Sequence, residues 1–492
     1  MIEKKVVEKA VKQAAEQSAS TMMTLAQAAS VIPGATVIGD ANTAFARVST
    51  DSRTLGPGDL FVALRGERFD AHDFLDAAIQ QHPAAVMVSR LPSTSATLAV
   101  PALVVPDTRI ALGALAHAWR LRFDLPVVAV TGSNGKTTVK EMIASIFASA
   151  VGEPARLSTQ GNLNNDIGVP LTLFRLSAQH RLAVIELGMN HPDETRYLAG
   201  LTSPTVALIN NAQREHQEFM RTVEAVALEH ASVIHALTPE GVAVFPADDA
   251  YASIWRVAAT GNRIIDFALN AAERATEAAV TGTFTGNVLS IDTPEGHIDV
   301  TLQVLGNHNA HNALAATSAA LAAGVPLDVI KRGLESFGAV KGRLQVKRAA
   351  LGTLAGATVI DDTYNANPDS MRAAIDVLAS RESPRVLVMG DMGEVGDNGP
   401  VFHREIGAYA KERGIDALYA MGDASRDACT AYGTGAHHVA DVGTLVAQLQ
   451  QAGYGPAATL LVKGSRFMQM ERVVDAVTSP QPNAAGNTPA AH

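Results

Sequence analysis

The chain has a single cysteine, Cys429, in 492 residues, so it forms no internal disulfide and suits a reducing compartment. Aromatic residues make up only 5%, and basic residues are outnumbered, with 39 Lys and Arg against 49 Asp and Glu and a net charge of -10. That balance argues against a nucleic-acid partner, whose phosphates need a basic face. Any anionic ligand must be met by local Arg, Lys and backbone N–H groups. No apolar run is long enough to span a bilayer. The opening "MIEKKVVEKAVKQAAEQSAS" lacks the apolar core of a signal peptide, which leads us to expect a cytosolic, cytoplasmic protein. Internal repeats are missing too.

What the chain does have is 47% hydrophobic residues in an Ala- and Gly-rich background, the composition of a helix-rich α/β protein. Its length suits about three domains. Residues 1–20 read as a polar extension, and the Pro/Asn/Ala stretch 478–492 as a disordered tail. Between them, "DLFVAL" and "AAVMVS" mark strands of a small α/β first domain, 21–122. A second domain, 123–338, begins at an apolar strand and closes after the helix-rich "ALAATSAALAAG". In a third, 339–477, the strands "ATVIDDTY", "RVLVMGDM" and "ATLLVKGS" alternate with helices, the pattern of a Rossmann-like sheet.

The second domain opens with "VVAVTGSNGKTTVKEMIASIFASA", residues 127–150. Val127 to Val130 suit a strand buried on both faces, and Val139, Met142, Ile143, Ile146 and Phe147 recur at helical spacing. The turn between them therefore lies at a helix N-terminus, where unpaired N–H groups and the dipole favour an anion. Gly132 and Gly135 let the backbone approach it, with Asn134 and Thr138 in the same loop. Lys136 can reach phosphate oxygens, and the Thr137 hydroxyl can ligate Mg²⁺. This is a shortened variant of the P-loop, because the position five before Gly135 is Val130. ATP is the expected guest, in a central P-loop ATPase-type parallel sheet.

Other candidates sit where apolar strands run out, as ligand-binding residues of open α/β sheets do. Glu186 ends "LAVIE", His216 follows "TVALIN", and Asp362 closes "TVIDD". Glu186 and His216 could join Thr137 around Mg²⁺ on ATP phosphates, since magnesium prefers carboxylate oxygen.

Eight motifs occur in the order seen in the Mur ligases, a family that the chain resembles nearly from end to end: "TGSNGKTT", "STQGNLNNDIGVPLTL", "IELGMNH", "GNHNAHNALAA", "KGRLQV", "DDTYNANPDSM", "VMGDMGEVG" and "VKGSRFMQMERVV". The last four resemble those members that join D-alanyl-D-alanine to UDP-N-acetylmuramoyl-tripeptide, and "VSTDSRTLGPGDLFVALRGERFDAHDF" resembles their UDP-binding domain. The resemblance implies attack of the tripeptide carboxylate on the ATP γ-phosphate. The dipeptide amine then displaces phosphate from the acyl phosphate, giving the pentapeptide precursor of peptidoglycan.

By the same resemblance Lys136, His216 and Arg343 would be the catalytic group, and Thr137, Glu186 and His216 the metal ligands. Asn309 or Asn312 would meet adenine, Asp362 the ribose, and Arg343 the phosphates after domain closure. Ser52 and Arg53 of "STDSR", Asn162, Asn164 and Asn165 of "GNLNN", and Tyr364, Asn365 and Asn367 of "TYNANP" would serve the two substrates. The plainer readings are a polar turn for "STDSR" and helix caps for Asn309 and Asn312. Neighbouring alternatives are the family's preceding amino-acid-adding ligase and folylpolyglutamate synthetase-like enzymes. The Asp-Asn-Pro-Arg motif of the diaminopimelate-adding ligases is absent. A non-catalytic nucleotide switch would need no "GNLNN" or "TYNANP". The expected partners are the two substrates alone, with the protein a monomer.

One position departs from the family. Most Mur ligases carry a lysine about fourteen residues after the metal-binding histidine, and its carbamate supplies negative charge. Here that count reaches His230, and the chain has no lysine between Lys140 and Lys331. A water or a His230 nitrogen is expected to fill the gap, with Glu229 facing elsewhere on the helix. Activity is then expected to need Mg²⁺ but not bicarbonate.

Overall fold

The computed structural model describes residues 21–66, 69–91, 98–270 and 277–479. The expected extension 1–20 lies outside the described residues, as does the tail beyond Ser479; Thr478 itself ends the helix Glu471–Thr478. Among the described residues no helix is long and apolar enough to cross a membrane.

Residues 36–104 carry a five-stranded sheet in the order Thr36–Ile38, Ala102–Val104, Ala85–Val88, Asp59–Val62, Arg47–Ser49, parallel except for its first pair. Next comes a six-stranded parallel sheet with Val127–Thr131 (β1) between Leu182–Glu186 (β2) and Val206–Ile209 (β3). Because side chains alternate between two faces that are both buried, Val127 to Val130 of β1 are all apolar. Val127 and Ala129 join the core that also holds Leu112 and Leu115, whereas Val128 and Val130 join the one that holds Ile143 and Leu314.

After β1 the chain enters the helix Lys136–Val151 (α1), whose Val139, Met142, Ile143, Ile146 and Phe147 are fully buried. Val223–His235 (α2) and Asn307–Ala322 (α3) complete the elements that frame the loop between β1 and α1.

Residues 267–301 form a separate four-stranded sheet, a stretch in which the sequence reading names no strand. Its signal is alternation: Val280, Leu289, Ile291 and Val300 face the core shared with α3, and polar residues face out. The last sheet runs Gln345–Arg348, Thr358–Asp362 (β4), Thr459–Lys463 (β5), Arg385–Gly390, Ala417–Met421, Ala436–Val439, again parallel but for the first pair. The register sets Lys463 directly beside Asp362. The helix Pro368–Ala379 (α4) follows β4, with Asn367 as its cap.

Candidate active site

A cavity of about 1270 Å³ opens where the carboxyl ends of β1, β2 and β3 face that of β4. On its wall Gly135 adopts a left-handed conformation, φ 82°, as the residue before α1. A Cβ there would lie 2.5 Å from Asn312 Oδ1 and 2.6 Å from Asn210 Nδ2, so only glycine fits. The loop is held from outside: Asn210 and Asn211 side chains both donate to the Asn134 carbonyl, at 2.7 and 3.0 Å. Asn210 Nδ2 also donates to Asn312 Oδ1 at 2.9 Å, tying α3 to the loop. Held so, the first N–H groups of α1 face the cavity unpaired by helix geometry.

Behind the loop, Thr137 Oγ1 donates to Glu186 Oε1 at 3.2 Å, and Asn164 Nδ2 donates to the same oxygen at 2.8 Å. Glu186 Oε2 is buried with no hydrogen-bond partner. A carboxyl oxygen in that state, next to a hydroxyl and a helix N-terminus, fits a hard divalent cation shared with phosphate. His216 does not join this pair. Its Nδ1 lies 2.7 Å from Glu394, off the line of a good hydrogen bond, and its Nε2 lies 3.8 Å from Glu215. Among the described residues no group of three or more His, Cys, Asp and Glu converges to hold a metal. Of the metal set expected from sequence, Thr137 and Glu186 are in contact, and His216 lines the same cavity without reaching them.

His230 is fully buried, and both its ring nitrogens are occupied: Nδ1 lies 2.9 Å from Thr131 Oγ1, Nε2 3.0 Å from Glu215 Oε1. It cannot offer a nitrogen to a metal as arranged. Glu229 faces away, accepting from the Asp193 and Thr195 N–H groups. The carboxylate nearest the lysine is instead Glu215, 3.3 Å from Lys136 Nζ. Burial alone would raise its pKa, but Lys136, His230 and His216 outweigh burial and hold it at about 2.

From the opposite side, Arg343 Nη2 donates to Thr137 Oγ1 at 2.8 Å while its guanidinium lies over the Tyr364 ring, 4.1 Å from the centroid. Asp362 accepts from Lys463 Nζ at 2.6 Å. Asn134, Thr138, Asn309, Asn312, Asn164, Asn165, Tyr364, Asn365 and Asn367 also line the cavity. Several are busy with local structure. Asn367 caps α4 and bonds Asn134 at 2.9 Å, Asn165 accepts from Gly168 N, and Asn365 Oδ1 accepts from Ala366 N. Asn309 and Asn312 are not caps, since Gly306 holds that position; they bond to each other at 3.0 Å.

Four expected residues do not line the cavity: Gly132, Ser52, Arg53 and Asn162. Gly132 acts from within the loop, its carbonyl accepting from Lys136 Nζ. Asp51 caps the turn Ser52–Thr54 and pairs with the exposed Arg53, so "STDSR" forms a polar turn on the surface. Asn162 is exposed. Sequence reasoning missed Glu215, Lys463, Asn210, Asn211 and Arg214. Glu215 and the asparagines stood in plain view just past β3, and Lys463 at the end of a quoted strand.

Three family models match the chain: "Mur ligase family, catalytic domain" over residues 45–120, "Mur ligase middle domain" over 130–320, and "Mur ligase, glutamate ligase domain" over 342–466. A UDP-N-acetylmuramoyl-tripeptide–D-alanyl-D-alanine ligase of Haemophilus influenzae is 41% identical over 449 residues, which cover 89% of this chain and 95% of the relative. A crystal structure of MurF from Acinetobacter baumannii matches with a TM-score of 0.84 at 35% identity, covering 93% of this chain and 98% of that one. A MurF ligase from Thermotoga maritima in complex with ADP shares the fold, with a TM-score of 0.77 at 24% identity over 88% and 97% of the two chains.

Proposed function

The chain belongs to the Mur ligase family, and from that premise we propose that it joins D-alanyl-D-alanine to UDP-N-acetylmuramoyl-tripeptide at the expense of ATP. The observation that carries the reading is the Arg343–Thr137 contact beside Lys136 and Glu186. It sets two cations, a helix N-terminus and a half-satisfied carboxylate close together, with the segment leading into the last sheet in contact with the first turn of α1.

The chemistry gathers negative charge twice. A tripeptide carboxylate oxygen bonds to the γ-phosphorus as ADP leaves, giving an acyl phosphate. The dipeptide amine then bonds to the acyl carbon, and phosphate leaves with the former carboxylate oxygen. Lys136, Arg343 and the N–H groups of α1 are positioned to stabilise charge in the first step, with no covalent work by the protein. Thr137 and Glu186 would hold Mg²⁺, which neutralises phosphate charge when bound. Asp362, fixed by Lys463, and Asn309 and Asn312 on α3 are the proposed ribose and adenine side. Asn164, Tyr364, Asn365 and Asn367 line the region proposed for the peptides.

Phosphate release measured with all combinations of substrates tests this. We expect release only when ATP, UDP-tripeptide and dipeptide are together, with a product whose mass equals the two acceptors less water. ATP hydrolysis that ignores the acceptors would favour the nucleotide-switch reading and contradict ours.

A further inference from the structure

Lys136 has three N–H bonds to give. They go to the carbonyls of Gly132 and Ser133 and to Glu215 Oε2. The two carbonyls belong to the lysine's own loop and are neutral, so an arriving phosphate outcompetes them for the ammonium. Glu215 is different in kind. It is only 5% exposed, and its other oxygen is held by His230 Nε2. His230 is anchored in turn by Thr131 at the end of β1, and both are fully buried. The carboxylate therefore cannot swing out to water.

We propose that Glu215 is the positioning residue of Lys136. The buried chain Thr131–His230–Glu215 fixes one anion relative to β1, the strand that also leads into the phosphate loop. That anion holds the ammonium by a bond that remains when phosphate displaces the Gly132 and Ser133 carbonyls, so the charge is already in place when the phosphoryl group transfers. The inference rests on the ATP-dependent reading above and adds a residue to it.

Glu215→Gln, His230→Gln and His230→Ala test it in the full chain. Removing a negative charge beside a triphosphate does not weaken nucleotide binding, so Glu215→Gln should bind ADP by calorimetry as tightly as the parent or more so. Its kcat should fall by about a hundredfold, with KM for both peptide substrates unchanged. His230→Gln keeps an N–H to offer Glu215 and should retain most activity, whereas His230→Ala should follow Glu215→Gln. The proposal is overturned by a Glu215→Gln protein within about threefold of parental kcat. Parallel loss of ADP affinity and kcat would also overturn it, since that marks a mere prop for the loop. A parental protein that makes no product from the three substrates would instead sink the ligase reading itself.

Discussion

Lys136 bonds within the phosphate loop while Arg343 reaches the adjacent Thr137 from the last sheet's side, and what each does is separable by substitution. Lys136→Ala should cut turnover by at least about a hundredfold while leaving UDP-tripeptide affinity and thermal unfolding near parental; kinetics with calorimetry on the same sample checks this. Near-parental turnover would remove the lysine from the mechanism. The neighbouring carboxylate bears on carbon dioxide. With Glu215 already beside Lys136 and no lysine at position 230, activity in rigorously CO₂-free buffer should match that with added bicarbonate. A bicarbonate requirement would show that the charge comes from elsewhere. Residues with a chemical signature were legible: glycine, lysine and threonine in a strand-to-helix turn, and acids at strand ends. Glu215 and Lys463 were not, because their meaning comes from which side chain stands opposite, and only the fold determines that.

At the scale of elements, the loop before α1 is shaped by what crowds it. Gly135→Ala would put a methyl group against Asn312 and Asn210 and force alanine to a φ of 82°, a conformation costing roughly 1–2 kcal/mol. We expect a lower melting temperature together with weaker ADP binding. Gly407 offers the control, since a Cβ there would meet the Ala428 carbonyl at 2.0 Å where two helices of the last sheet's layer touch. Gly407→Ala should lower the melting temperature with ADP affinity kept, and calorimetry of the pair tells them apart. The doubly buried strands and α1 could be read from sequence because their apolar periods are long and regular. The alternation of the four strands of 267–301 is weak beside a long Ala-rich helix, with Gly282 and Gly296 lying inside the strands.

Across the whole molecule, the layer of the last sheet is latched to the sheet of β1, β2 and β3 by Arg214, which bonds Asp369 at 2.6 Å and Glu405 at 2.7 Å. Arg214→Ala should release that latch, seen as a larger radius of gyration by small-angle scattering and a lower kcat/KM; unchanged scattering would deny Arg214 this role. The latch also has a pH sign. Hydrogen bonding to Arg214 lowers the Glu405 pKa below its ordinary 4.5, so the closed form favours the ionised acid. Its contribution is present above pH 4.5 and is lost as the pH falls through the lowered value. Closure should therefore loosen on that acid side, and less so in Glu405→Gln. The central claim, that the tripeptide carboxylate is activated as an acyl phosphate, has its own direct measurement. With the terminal carboxylate labelled in oxygen-18, each phosphate released with peptide product should carry one labelled oxygen by mass spectrometry. Unlabelled phosphate accompanying that product would contradict the account.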